Sequence, residues 1–143
     1  MPTVRCFVAG HDGQVTIAFA LLVCAIVDDD ACAREHLYVY GRVKGVPPAL
    51  VDAVVDAMLK RMALWNYRDK LAGDYSGGNK RKLSVAIALL GDPKVLYLDE
   101  PSTGMDAHSR RFMWDLIAQQ AKNRAVMRGR CRPWCKGCDA WRR

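Results

Sequence analysis

Four consecutive apolar residues, Val95-Leu-Tyr-Leu98, run straight into two carboxylates, Asp99 and Glu100, and are stopped by Pro101. A strand without polar alternation has no face to offer water. It fits a parallel sheet covered on both sides by helices. Ligands of such sheets bind beyond the carboxyl ends of the strands. The run therefore predicts an α/β fold and puts Asp99 and Glu100 at the ligand end, where the pair can serve a metal ion and a water. Taken alone, two carboxylates at a strand end are more often solvated turn residues than catalysts.

The stretch Tyr75-Ser-Gly-Gly-Asn-Lys-Arg-Lys-Leu-Ser84 predicts a turn that opens a helix from about Asn79 to Leu90. Ser76 is a favourable N-cap. Gly77 and Gly78 remove side chains, so backbone N–H groups can reach a ligand. The positive end of the helix faces the turn, and together these features make an anion site. Lys80, Arg81 and Lys82 crowd the first turn, where the dipole disfavours cations, and a nearby anion would relieve that conflict. By itself the stretch reads equally as a capped helix with a solvated basic turn.

In this order and spacing the two stretches resemble the nucleotide-binding domain of ABC transporters. Ser76-Gly-Gly-Asn79 resembles the signature motif, with Tyr75 in place of its leucine and Asn79 in place of its glutamine. Val95 to Glu100 resembles the Walker B strand with its catalytic glutamate, and Gly104-Met105-Asp106 resembles the D-loop. The wording of these motifs, with Ala33-Arg-Glu-His-Leu37 and Tyr40-Gly-Arg-Val-Lys-Gly-Val46, is similar to the A subfamily, associated with lipid movement. The resemblance covers roughly residues 25 to 127. It implies a partial P-loop NTPase domain: a helical subdomain over about 32–90, the Walker B strand, flanking helices and an incomplete sheet. It further implies that two such domains sandwich two ATP molecules head to tail. Ser76, Gly77 and Gly78 would then grip the γ-phosphate of the partner's ATP, with Asn79 also among the nucleotide-binding residues. Asp99 would hold magnesium through water, Glu100 would deprotonate the attacking water, and Asp106 would contact the opposing domain. The implied partners are a second nucleotide-binding domain and the transmembrane domains, at the cytoplasmic face of a membrane, with no nucleic acid expected.

The rest of the chain is less complete. The 143 residues suit one domain. The net charge of +7 arises entirely from residues 122–143, because basic and acidic side chains balance over residues 1–121. Residues 1–24 read as a divergent segment, with a candidate strand over Val4 to Val8 and, over Gly10 to Gly13, an ordinary turn in preference to a damaged phosphate-loop remnant. A phosphate-binding loop needs G-x-x-x-x-G-K-[ST]. Counted from Gly10, its last three positions fall on Val15, Thr16 and Ile17, and no lysine precedes Lys44. Val15 to Val27 is apolar but shorter than the roughly 18 residues of a membrane span, so it reads as a buried strand or helix. By the resemblance a glutamine belongs near Val23, and none is there.

Asp28-Asp-Asp30 suits the start of a helix better than a metal site. Helices are predicted over Cys32 to Lys44 and Ala49 to Trp65, the second with Val51, Val54, Val55, Met58, Leu59 and Met62 on one face. His36 reads as a packed or surface histidine rather than a ligand. A further helix, capped by Asp106 or Ser109, runs to about Lys122 and buries Phe112, Met113, Leu116 and Ile117. A strand begins at Arg124-Ala-Val-Met127. No histidine follows His108, so the family's histidine switch is missing. Residues 128–143 read as a basic tail whose Cys131, Cys135 and Cys138 fall one short of a structural zinc set. These departures leave it open whether the chain itself is an ATPase. They favour a fragment of a transporter ATPase, with a non-catalytic partner of a complete domain, or a basic nucleic-acid- or metal-binding protein, as alternatives. The purified chain is expected to show no saturable ATP binding at micromolar concentration by titration calorimetry; a micromolar isotherm would contradict this reading.

Overall fold

The computed structural model describes residues 17–20, 27–98, 101–121 and 125–128. Three parallel strands, β1 (Ile17–Ala20), β2 (Val95–Leu98) and β3 (Ala125–Arg128), lie side by side in that order. Ile17 is level with Val95, and Val95 with Ala125. The apolar run thus forms the central strand, with Leu96 and Leu98 fully buried. Parallel neighbours require crossover connections. Helix α4 (Ala107–Ala121) supplies the one between β2 and β3, and it packs against β3. The apolar segment Val15 to Val27 contributes β1, so of the two forms expected for it, strand or helix, the strand is realised over Ile17–Ala20. The candidate strand Val4 to Val8, the turn Gly10 to Gly13, the region of Val23 and the cysteine tail lie outside the described residues.

Helix α1 spans Ala33–Val43. Cys32 stands at its N-cap with extended backbone, and Glu35 reaches back to accept the Cys32 N–H at 2.8 Å. This reciprocal arrangement satisfies donors that the first turn leaves open. Its buried residues, Ala33, His36, Leu37 and Gly41, recur at helical spacing. Gly41 allows close approach of the next helix: a Cβ there would stand 3.1 Å from Val51 Cγ2. His36 is packed, one of the two placements the sequence left open. Its Nδ1 lies 2.7 Å from the Cys32 carbonyl and its Nε2 accepts the Asp28 N–H at 2.9 Å, a pairing that fits the Nδ1–H tautomer.

Helix α2 spans Pro48–Arg61, with proline in its first turn and Val51, Val55, Met58 and Leu59 buried. The methionines belong to the core. The helix ends well before Trp65, contrary to the sequence reading, and the reason is local. Ala63 takes the left-handed conformation, φ 54°. Leu64 N–H then donates to Leu59 O at 2.8 Å and Ala63 N–H to Lys60 O at 3.1 Å, the pattern of a Schellman stop. Trp65–Tyr67 forms a separate 3-10 turn. The Trp65 ring lies under both Lys60 and Arg68, each 4.7 Å from its centroid.

Helix α3 (Gly77–Leu89) starts two residues before the expected Asn79 and packs against both α1 and β1. Residues Leu83 to Leu90 are all buried, so the helix runs through the core. Lys44, just past α1, donates from Nζ to the carbonyls of Ile87 at 2.6 Å and Ala88 at 3.1 Å. A cation there satisfies orphan carbonyls and suits the negative end of the α3 dipole. On α4, Met113, Leu116 and Ile117 are buried, whereas Phe112 is only half-buried. Asp106 rather than Ser109 is its cap, accepting the Ser109 N–H at 2.9 Å. Among the described residues no helix is long and apolar enough to cross a membrane.

A non-glycine residue in the left-handed region costs about 1–2 kcal/mol, partly offset by the chain entropy that glycine gives up. Ala63→Gly should therefore stabilise the chain by about 0.5–1 kcal/mol. A raised urea midpoint with unchanged slope would show it; a lowered midpoint would mean that Ala63 is held by packing instead.

Candidate functional site

The turn that opens α3 is fixed from behind by a tyrosine. Tyr75 is buried and donates its hydroxyl to the Tyr67 carbonyl, while its ring meets Tyr67 edge-on at 5.9 Å. Burial pushes its hydroxyl up to about 12, and the neighbouring Cys32 and Asp69 push in the same direction. It therefore remains a neutral donor well above physiological pH. Next along the chain, Ser76 is exposed and stands at the N-cap, with φ −59° and ψ 153°. Its Oγ accepts the Asn79 N–H at 3.3 Å and its carbonyl accepts the Lys80 N–H at 2.9 Å. The N–H groups of Gly77 and Gly78, ahead of these, have no acceptor within the helix.

The space around the two glycines decides how the turn is read. A Cβ on Gly77 would meet nothing within 4 Å, and one on Gly78 would make only ordinary contacts, 3.9 Å from Met105 Cε and from Ser76 Oγ. Neither has a positive φ. Glycine costs a helix up to about 1 kcal/mol relative to alanine, most of it in the interior. Nothing among the described residues requires that cost here, so the vacant volume suits the approach of a group from outside.

The Gly104-Met105-Asp106 turn adjoins this site. Gly104 has φ 74°, and Met105 is buried with its methyl group toward Gly78. Arg110 donates to the Met105 carbonyl at 3.0 Å. Asp106 is exposed, and its carboxyl is held below the usual range, chiefly by the Ser109 N–H. One of its oxygens is thus engaged in starting α4.

The basic first turn of α3 has partners within the chain. Lys80 Nζ pairs with Asp29 Oδ1 at 2.7 Å, and Lys82 lies 5.3 Å from the Phe112 ring. The acidic run therefore acts differently from its sequence reading. Asp29 serves the start of α3, while Glu35 serves the start of α1. No local pattern signals a pair separated by 51 residues; only the fold brings them together. Met105 and Lys44 were likewise not legible as parts of this arrangement. Asp99 and Glu100 lie outside the described residues. In sequence they follow the carboxyl end of β2, the central strand. Among the described residues no group of three His, Cys, Asp or Glu side chains is placed to hold a metal ion.

A helix opened by a glycine turn, packed beside a parallel sheet, defines an α/β domain. The family model "ABC transporter" matches residues 11–103, more than half the chain. That match starts and ends earlier than the resemblance read from the motifs. ABC transporter A family member 9 of Arabidopsis thaliana is 42% identical over 118 residues, covering 80% of this chain and 12% of that protein. The retinal-specific phospholipid-transporting ATPase ABCA4 of Homo sapiens is 52% identical over 91 residues, covering 64% of this chain and 4% of that protein. The phospholipid-transporting ATPase ABCA3 of Rattus norvegicus is 50% identical over 91 residues, covering 64% of this chain and 5% of that protein. The chain thus spans a small part of each of these relatives. It belongs to the ABC transporter family, its relatives are A-family members, and membership implies a P-loop NTPase fold.

The raised Tyr75 value has a direction in pH. The fold favours the neutral phenol, so its contribution is whole below the ordinary 10.0 and is lost as pH climbs toward about 12. The stability advantage of the native chain over Tyr75→Phe should shrink between those limits in urea titrations; an advantage constant with pH would contradict it.

Proposed function

We propose that this chain is the signature-bearing part of an ATP-binding cassette, serving a nucleotide held by a second cassette. The vacant approach to Gly77 is the observation that carries this reading. The two N–H groups without helical acceptors and the positive end of α3 offer preorganised positive potential to phosphate oxygens. Ser76 adds a hydroxyl that can donate outward while its oxygen caps the helix. Asn79, three residues after Ser76, is partly exposed. Phosphoryl transfer asks the protein mainly for positioning and charge stabilisation, which is what such a turn provides.

The remaining assignments follow the family. Asp99 would hold a water-coordinated magnesium ion, which shields the phosphates. Glu100 would orient and deprotonate the attacking water. Asp106, with one oxygen committed to α4, has its exposed carboxylate available to the opposing domain. The transmembrane domains of a longer transporter would receive the resulting movement through the 32–90 helical subdomain, at the cytoplasmic face. The names of the phospholipid-transporting relatives make a lipid the favoured cargo. A second form of the same reading has the chain supply only the signature side to a complete cassette.

The test is a mixed complex. The purified chain is combined with a complete, hydrolysis-deficient A-family cassette and ATP, and association is followed by sedimentation. ATP-dependent association is expected with the native chain and is expected to be lost with Gly77→Ala. The same substitution should leave the urea midpoint of the chain unchanged or raise it, by up to about 1 kcal/mol. Association that survives Gly77→Ala would remove the signature turn from the reading.

A further inference from the structure

We propose that Asp29 is a positioning residue for the signature turn, holding the start of α3 through Lys80; the inference rests on the reading of that turn as a nucleotide-facing element. An exposed ion pair by itself contributes little. This one differs in how its acidic partner is anchored. The Asp29 carbonyl accepts the Gly73 N–H at 3.0 Å, and the Ala31 carbonyl accepts the Ala72 N–H at 2.9 Å. Cys32 pairs with Leu71 as an antiparallel bridge. Residues 29–32 are thus laid along residues 71–73, the segment leading directly into the turn. The approach is close, since a Cβ on Gly73 would stand 3.1 Å from the Asp29 carbonyl oxygen. With its backbone already fixed, Asp29 loses little further freedom in pairing with Lys80.

The geometry also explains the placement of the charge. Lys80 lies in the first turn of α3, where the dipole repels a cation, and Asp29 offsets that repulsion at 2.7 Å. At the other end of α3, Lys44 holds the carbonyls of Ile87 and Ala88. The segment from Asp29 to Lys44 therefore grips α3 at both ends. Releasing the Asp29 end frees only the turn, because the Lys44 end and the buried helix body stay fixed.

Amide hydrogen exchange by NMR on the 143-residue chain tests this without nucleotide. Asp29→Asn keeps the backbone bonds to Gly73 and removes the charge. It should speed exchange at Asn79 and Lys80 by about threefold, while Val55 and Leu59 in α2 stay unchanged. The charge swap, Asp29→Lys with Lys80→Glu, should restore native protection at Asn79 and Lys80. Unchanged exchange in Asp29→Asn, an equal rise at Leu59, or failure of the swap to restore protection would each overturn the proposal. Those outcomes leave the nucleotide reading standing. Loss of the nucleotide reading in the mixed-complex experiment would in turn leave the exchange result intact.

Discussion

The N–H groups of Gly77 and Gly78 point out of the start of a helix with nothing inside that helix to accept them. Much of the surrounding structure is concerned with holding them in place. Tyr75, buried and bonded to the Tyr67 carbonyl, fixes the chain as it enters the turn. Ser76 closes the first helical turn behind the two glycines. Met105 lies against Gly78 from the neighbouring loop. Behind them runs a helix whose residues from Leu83 onward are buried. A donor pair mounted on so constrained a helix needs no reorganisation when an anion arrives, which is the condition for effective charge stabilisation.

The helices and the sheet divide the work. The three parallel strands set a common carboxyl edge, with the Asp99-Glu100 pair following the central one in sequence. The α1–α2 layer, joined to α3 by Lys44 and Asp29, sets where the glycine turn sits. Because α3 packs against both α1 and β1, a shift of the helical layer relative to the sheet has to pass through it. That is a mechanical reason for the glycine turn at the start of α3 to respond to both halves of the fold.

Periodicity and punctuation made the local structure legible. The apolar run Val95 to Leu98 announced a strand of a parallel sheet, and the i, i+4, i+7 pattern of Val51, Val55 and Met58 announced the buried face of α2. Ser76 announced its own cap. Where the sequence misled, the competing effect was local and small. Ala63 stops α2 in a conformation that alanine rarely adopts, so nothing in the pattern up to Trp65 marked the end. Phe112 fits the apolar spacing of α4 but lies at the edge of the buried face. The long-range partners were beyond reach in principle. Asp29 looked like the natural acid for the helix that follows it, and only packing of residues 29–32 along residues 71–73 delivers it to Lys80. The glycines were recognisable as a turn that opens a helix, but that they are sterically unforced in this chain is a fact only the structure could supply.

The central claim is that the volume over Gly77 is left for a phosphate carried by another domain. It is tested most directly with an ATP analogue bearing a photoreactive group on its γ-phosphate, bound to a complete A-family cassette and irradiated in the presence of this chain. The account predicts a covalent adduct within residues 76–79. An adduct confined to residues outside that turn, or none at all under conditions where the two domains associate, would contradict it.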